Sequence, residues 1–409
     1  MTLTRRDFLK TSSMVAWGLT VPTFLSRTAA ATLTADTPGA KDTILVVVQL
    51  TGGNDGLNTV IPFKDPEYAK LRPTLKVAPG QVRKITDEIG LHPSLSGLAG
   101  LLDEQALCVV QGVGYPNPSQ SHFRSMDIWQ AGSTAEALTE GWIGRALRQL
   151  PGAPSFHLAA ANEAAPLALT GAPTRVPSIT SLEDFQLRTA AASGLDRKEQ
   201  HAVIEEAVQG PSDQAGLLDF VRRTAVNTYA SSRRLQEIGR NYQPKATYPP
   251  TQLANRLRLA AQLIDADLGA RIFYVSIDGF DTHASQAATH SQLLQEVSGA
   301  MTAFYKDLAA RGHKDRLLLM TFSEFGRRAK ENGSRGTDHG SAAPMLLVGG
   351  RVKPGLVGAH PSLTQLEAGN LKHHTDFRQV YAAVLDQWLG VNSKEVLGAE
   401  FKPVEIFKG

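Results

Sequence analysis

Residues 317–348 read LLLMTFSEFGRRAKENGSRGTDHGSAAPMLLV. An apolar run stops at Ser323-Glu324-Phe325-Gly326-Arg327, a polar glycine-bearing loop follows, and Asp338-His339-Gly340 leads into a second apolar run. Such runs fit buried strands, and a strand that ends at a carboxylate, close to an Asp-His pair, presents hard ligands at the edge of a sheet. The stretch therefore predicts an α/β fold and one wall of a metal site.

The remainder of the chain repeats the pattern. Ile44–Leu50, ILVVVQL, is a continuous apolar run of the kind found in parallel strands covered on both faces, and it ends in Thr51-Gly52-Gly53-Asn54-Asp55-Gly56. That loop serves equally as a plain turn or as a place where backbone approaches a ligand. Residues 106–110 form a second strand candidate holding Cys108, the single cysteine, which reads as inert packing and excludes an internal disulfide. A loop with two prolines then delivers Ser121, His122 and Arg124 into the first turn of a helix over 119–131, closed by Gly132. In that turn Ser121 is either a cap or a group held where the helix dipole favours negative charge.

Residues 196–267 are rich in Ala, Leu, Arg and Gln, and predict a helical insertion or cap. Strand character resumes at 271–277, followed by Asp278-Gly279-Phe280-Asp281-Thr282-His283 and a long amphipathic helix. A last helix opens at Thr375-Asp376-Phe377, where Thr375 or Asp376 caps it, and runs to Gly390. Alternating strands and helices predict a largely parallel central sheet with helices on both faces, and the candidate loops all follow strands.

The first 31 residues read differently. Arg5-Arg6-Asp7-Phe8-Leu9-Lys10, an apolar stretch from Met14 to Leu25 and Ala29-Ala30-Ala31 are expected to be a cleaved twin-arginine (Tat) export signal. Residues 32–42 are a linker, and 43–409 a single domain. This organisation implies the Tat machinery as a partner and a periplasmic or secreted location. Without the signal the formal charge of +3 falls to near zero, and no basic patch with interleaved aromatics remains, which disfavours nucleic acid. No later run is long enough for an integral membrane segment.

Asp55, Asp281, His283, Glu324, Asp338 and His339 are the candidate metal ligands. Carboxylates mixed with imidazoles suit Zn, Fe or Mn, whereas oxygen ligands alone suit Mg or Ca. Each has a plainer alternative: a turn for Asp55, a helix cap for Asp281, a salt bridge to Arg327 or Arg328 for Glu324, and loop hydrogen bonds for Asp338 and His339.

The set GGNDGLN, SHFRS, GFDTH, SEFGR, TDHGSAAPM and TDFRQVYAAVLDQWLG, with the twin-arginine leader, resembles the bacterial exported family called domain of unknown function 1501. That family is similar in turn to the alkaline phosphatase and sulfatase superfamily. The resemblance implies a metal-dependent hydrolase acting on a small phosphate or sulfate ester, with one or two divalent ions, Zn or Mn. It places Asp55 as the first-strand metal aspartate, Ser121 or His122 at the nucleophile position, and Arg124 or Arg327 as the residue that steadies the transferred group. In the register that fits best, Glu324 replaces an aspartate, Phe325 stands where a histidine belongs, and His339 is a later lone histidine. A non-catalytic exported protein that keeps the fold for binding or assembly is the alternative, and the absence of a cysteine at the nucleophile position argues against a formylglycine sulfatase.

Overall fold

The structure, a computed structural model, describes residues 43–409 apart from 151, 161, 162 and 183–236. The described residues within 43–180 and 243–409 form one compact unit. The export signal, and residues 196–236 of the expected insertion, lie outside the described residues.

The core of this unit is a nine-stranded sheet. Its strands are β1 (Ile44–Leu50), β2 (Leu107–Gly114), β3 (Ser155–Leu158), β4 (Ser178–Ile179), β5 (Ile272–Ile277), β6 (Leu317–Phe322), β7 (Ala343–Gly349), β8 (Gly355–Val357) and β9 (Thr375–Asp376). The spatial order is β8-β2-β7-β6-β1-β5-β3-β4, with β9 also paired to β2. Every pairing is parallel except those of β7, which runs against both β2 and β6. The start of β7 therefore lies at the same edge of the sheet as the ends of β1, β5 and β6.

Burial explains the apolar runs. Leu45 and Val47 of β1 join a core that includes Trp129, Trp142 and Tyr381, while Ile44, Val46 and Val48 alternate to the other face and are equally buried. Trp129 lies in helix α1 (His122–Ala131) and stacks on Phe322 of β6 at 5.6 Å and on Phe377 at 4.4 Å, which fixes α1 against the sheet. Gly132 ends α1 at φ 65°, as its place in the sequence predicts.

Helix α2 (Gln252–Asp265) was expected within the insertion or cap, but it belongs to the main unit and packs on β5 and on α3 (Gln286–Ala310). Its apolar stripe Leu253, Leu257, Leu263 and Ile264 is buried in that packing, which a solvent-facing cap would leave exposed. Helix α4 (Phe377–Ala383) starts at Asp376 with a full capping box to Gln379 and continues as a π-turn over Val384–Leu389. Cys108 is buried in β2, and burial pushes its thiol up to about 12, so it is inert. Among the described residues no helix is long and apolar enough to cross a membrane.

Candidate metal centre

Loops from the ends of β1, β5 and β6, the start of α1 and the segment before β7 meet at one edge of the sheet. Close approach of backbones makes this possible. A Cβ on Gly52, whose φ is 117°, would stand 2.4 Å from the Asp281 nitrogen, and one on Gly53 would stand 2.4 Å from the Phe325 ring. The Arg327 side chain, fully buried, then stitches the loops. It donates to the carbonyls of Gly52, Gly53 (2.7 Å), Phe280 (3.0 Å) and Thr337 (2.8 Å), and to Asp281 Oδ1 (2.7 Å).

Four side chains converge on the space this frame leaves. His283 Nε2 is 2.9 Å from Asp281 Oδ1, His339 Nε2 is 3.2 Å from the same oxygen, and His122 Nε2 is 3.4 Å from Asp281 Oδ2. His283 Nε2 and His339 Nε2 are 2.9 Å apart. His122, Asp281 and His339 each offer a ligand atom within 4.8 Å of the other two, and His283 meets Asp281 and His339 through the contacts just given.

The other ring nitrogens decide what these atoms can do. His339 Nδ1 faces the Gln120 carbonyl at 2.8 Å, and a carbonyl only accepts, so Nδ1 carries the proton and Nε2 a lone pair. His122 Nδ1 faces Glu324 Oε1 at 2.8 Å, and that oxygen also accepts the Gly52 amide at 2.8 Å, which fixes the same tautomer. His283 Nδ1 faces Asp338 Oδ1 at 3.5 Å. Three imidazoles thus turn Nε2 toward one carboxylate, each with its far nitrogen at an acceptor, the arrangement that orients metal-binding histidines.

The donor set fits a cation. His122 Nε2 is buried and makes no hydrogen bond, and two lone pairs at 2.9 Å repel unless a positive charge stands with them. Ligands about 2.0–2.1 Å from a tetrahedral ion are about 3.3 Å from one another, and Asp281 Oδ1, His283 Nε2 and His339 Nε2 stand 2.9–3.2 Å apart, with His122 Nε2 3.4 Å from the second Asp281 oxygen. Desolvation raises the Asp281 carboxyl, but the hydrogen bond and the charge of Arg327 outweigh it and hold the group at about 2. Asp281 is therefore ionised at any ordinary pH.

Not every expected residue takes the expected place. Asp55 is fully buried and accepts both Arg72 Nη1 (2.5 Å) and Nη2 (2.9 Å), with Gln286 Nε2 on the same carboxylate (2.5 Å). Its oxygens are spent on a buried ion pair, so it is structural. Glu324 and Asp338 stand behind the imidazoles, facing the Nδ1 atoms of His122 and His283, and the Asp338 carboxyl is lowered chiefly by the Asn332 hydrogen bond at 3.0 Å. Arg327 has its donors filled by the frame, and Arg124 donates to the carbonyls of Thr134, Ala135 and Glu136, so neither has a guanidinium free for a substrate. Ser121 precedes α1, exposed and without a capping hydrogen bond, while His122, the other candidate for the nucleophile position, turns its ring between Glu324 and Asp281. Phe325, expected where a histidine belongs, sets its ring 4.9 Å from that of His122 and 4.6 Å from that of His339, an apolar wall beside the cluster.

Sequence reasoning missed Arg72 and Gln286, which neutralise and hold Asp55, and the Gln120 carbonyl, a backbone role that no residue type announces.

The family model described as "Protein of unknown function (DUF1501)" matches residues 42–399. The chain belongs to this family. The match spans every loop of the DUF1501 site, from Gly52 to His339. None of the curated proteins matches the chain. Among solved structures, the chain is similar to a protein in the alkaline phosphatase superfamily from Vibrio parahaemolyticus, with 9% identity and a TM-score of 0.41 over 92% of this chain and 77% of that one. A sulfatase from Pseudoalteromonas sp. aligns at 11% identity and a TM-score of 0.38 over 94% and 74%. The alkaline phosphatase of the Antarctic bacterium TAB5 aligns at 11% and 0.32 over 76% and 92%.

Proposed function

We propose that this DUF1501 protein is a metal-dependent hydrolase of phosphate or sulfate esters, with one ion held by His122, Asp281, His283 and His339. The observation that carries the reading is the convergence of three imidazole Nε2 atoms on Asp281, each with its Nδ1 at an acceptor. Three nitrogens and one carboxylate favour Zn or Mn over Mg or Ca. A divalent ion there supplies Lewis acidity to a phosphoryl or sulfuryl oxygen and to the attacking water.

The chain's own residues supply the rest. Glu324 and the Gln120 carbonyl keep the Nδ1 protons of His122 and His339 in place, so that Nε2 stays a ligand. Phe325 keeps bulk water off one side of the two rings. The first turn of α1 begins at His122 with no side-chain cap, and its orphan amides favour the negative oxygens of an ester. Hydrolysis adds water across the ester P–O or S–O bond and releases an alcohol with phosphate or sulfate. In this reading water is the attacking group, and Ser121, exposed and making no capping hydrogen bond, is given no chemical step.

The pattern Arg5-Arg6-Asp7-Phe8-Leu9-Lys10 supports Tat export to the periplasm or beyond as part of the same proposal.

Metal analysis of purified protein, followed by a screen of aryl phosphate and sulfate esters with Zn or Mn supplied, tests the reading. Bound metal with turnover of one ester class is the expected result. Protein that takes up neither ion sinks it, and metal without turnover of any ester would favour the binding or assembly role.

A further inference from the structure

We propose that Arg328 receives a second anionic group on the ester substrate, beside the one that reacts. The proposal rests on the hydrolase reading and narrows its substrate to esters that carry another phosphate, sulfate or carboxylate.

The three arginines of the site differ in what their guanidinium groups already hold. Arg124 is taken by the carbonyls of residues 134–136, and Arg327 by four carbonyls and Asp281. Among the described residues the Arg328 side chain makes no hydrogen bond, and its Nε is buried without a partner although the residue is half-exposed. A guanidinium carries five donors, and leaving one buried and unmet is costly unless a ligand meets it.

Its backbone, by contrast, is fixed on both sides. The Arg328 amide donates to the Asp338 carbonyl at 3.0 Å, and its own carbonyl accepts Arg72 Nη2 at 2.9 Å. Nη1 lies 4.0 Å from the point where a Cβ on Gly369 would stand. The neighbouring Asn370 accepts from Gln120 Nε2 at 3.4 Å, and the Gln120 carbonyl is the group that orients His339. Arg328 therefore stands on the rim of the metal centre, between the turn at 367–370 and the Asp338 segment.

One residue separates it from the reacting group. The Asp338 segment links Arg328 to the His283 ring: the Asp338 carboxyl is engaged by Asn332 and His283, and the Arg328 charge acts on it without a hydrogen bond. An anion bound through Arg328 is thus displaced from the ion, which calls for a second charged group on the substrate. The fork of a guanidinium suits phosphate, sulfate or carboxylate by paired hydrogen bonds, which a lysine ammonium does not reproduce.

Pyrophosphate and orthophosphate are the probes, with Arg328→Gln and Arg328→Lys as the variants. Calorimetry on the Zn-supplemented protein should give tighter binding of pyrophosphate than of orthophosphate in the parent. Arg328→Gln should weaken pyrophosphate about tenfold or more while orthophosphate is unchanged, and Arg328→Lys should recover only part of the loss. Melting temperature should not move, because the side chain makes no hydrogen bond within the protein. With an aryl ester bearing a second phosphate, the glutamine variant should raise KM and leave kcat unchanged. Equal weakening of both anions, no change in either, or no preference for pyrophosphate in the parent overturns the assignment. If the parent binds pyrophosphate selectively but hydrolyses no ester, the hydrolase reading fails while the role of Arg328 in anion binding stands.

Discussion

The Nε2 atoms of His283 and His339 face each other at 2.9 Å while the opposite nitrogens of the same rings point to Asp338 Oδ1 and to the Gln120 carbonyl. Two neutral imidazoles so arranged put lone pair against lone pair. Asp281, 2.9 and 3.2 Å from the two atoms, and Arg327 behind it complete a site whose geometry is relieved by a shared cation.

Removing either member of that pair should abolish metal retention. His339→Ala and His283→Ala are expected to leave protein that unfolds near the parent temperature without added Zn but gains no stability when Zn is added, whereas the parent does gain. Metal content by elemental analysis and paired melting curves measure both; full Zn stabilisation in either variant would contradict the site.

Glu324 is expected to act through His122. Glu324→Gln can still accept the Nδ1 proton but loses the charge, and should weaken metal affinity by about 10- to 100-fold without abolishing it. Competition with a chromogenic chelator measures this. An unchanged affinity would place Glu324 outside the ligand-orienting layer.

Asp55 separates structural from ligand roles. Asp55→Ala leaves Arg72 buried and unpaired, and should cost roughly 3–5 kcal/mol in denaturant unfolding. Asp281→Asn, which keeps an acceptor for the buried Arg327, should cost less stability than Asp55→Ala and lose the metal instead. The opposite pattern would restore Asp55 as a ligand.

With water as the attacking group, Ser121→Ala should retain turnover within about tenfold of the parent, since the exposed side chain makes no capping hydrogen bond to lose. A serine nucleophile would make the same variant inactive, and loss of turnover with metal retained would show that Ser121 attacks.

Stability should fall with acid from about pH 6.5 to 4. Burial holds His290 at about 4, well below the ordinary histidine value, and His92, packed edge-on at 6.0 Å, is also lowered to about 4 by burial. A group with a depressed folded pKa contributes stability above its unfolded value, and that stability is lost as pH falls toward the folded one. For His290 the loss is roughly 3 kcal/mol. Melting temperatures across this range should decline in the parent and decline less in His290→Gln. A flat parent profile would count against a neutral buried pair.

Much of this was legible in the chain. Continuous apolar runs such as Ile44–Leu50 and Leu317–Phe322 predict parallel strands buried on both faces, because only the sheet interior can absorb them. The placement of Asp281, His283 and His339 directly after strands or before one predicts that they share an edge, and they do. The family motifs identified His122 as a position of interest, and it is part of the site.

What the sequence could not assign was the layer each residue occupies. Asp55, Glu324 and Asp338 are carboxylates on loops like Asp281, and periodicity treats them alike. Only the folded chain determines that Arg72, 17 residues on, neutralises Asp55, that Glu324 meets a ring nitrogen 202 residues away, and that Asp281 alone faces three Nε2 atoms. Residue type fixes what a side chain can donate or accept; the partner that claims it is set by distances measured through space, across stretches of chain that carry no record of one another.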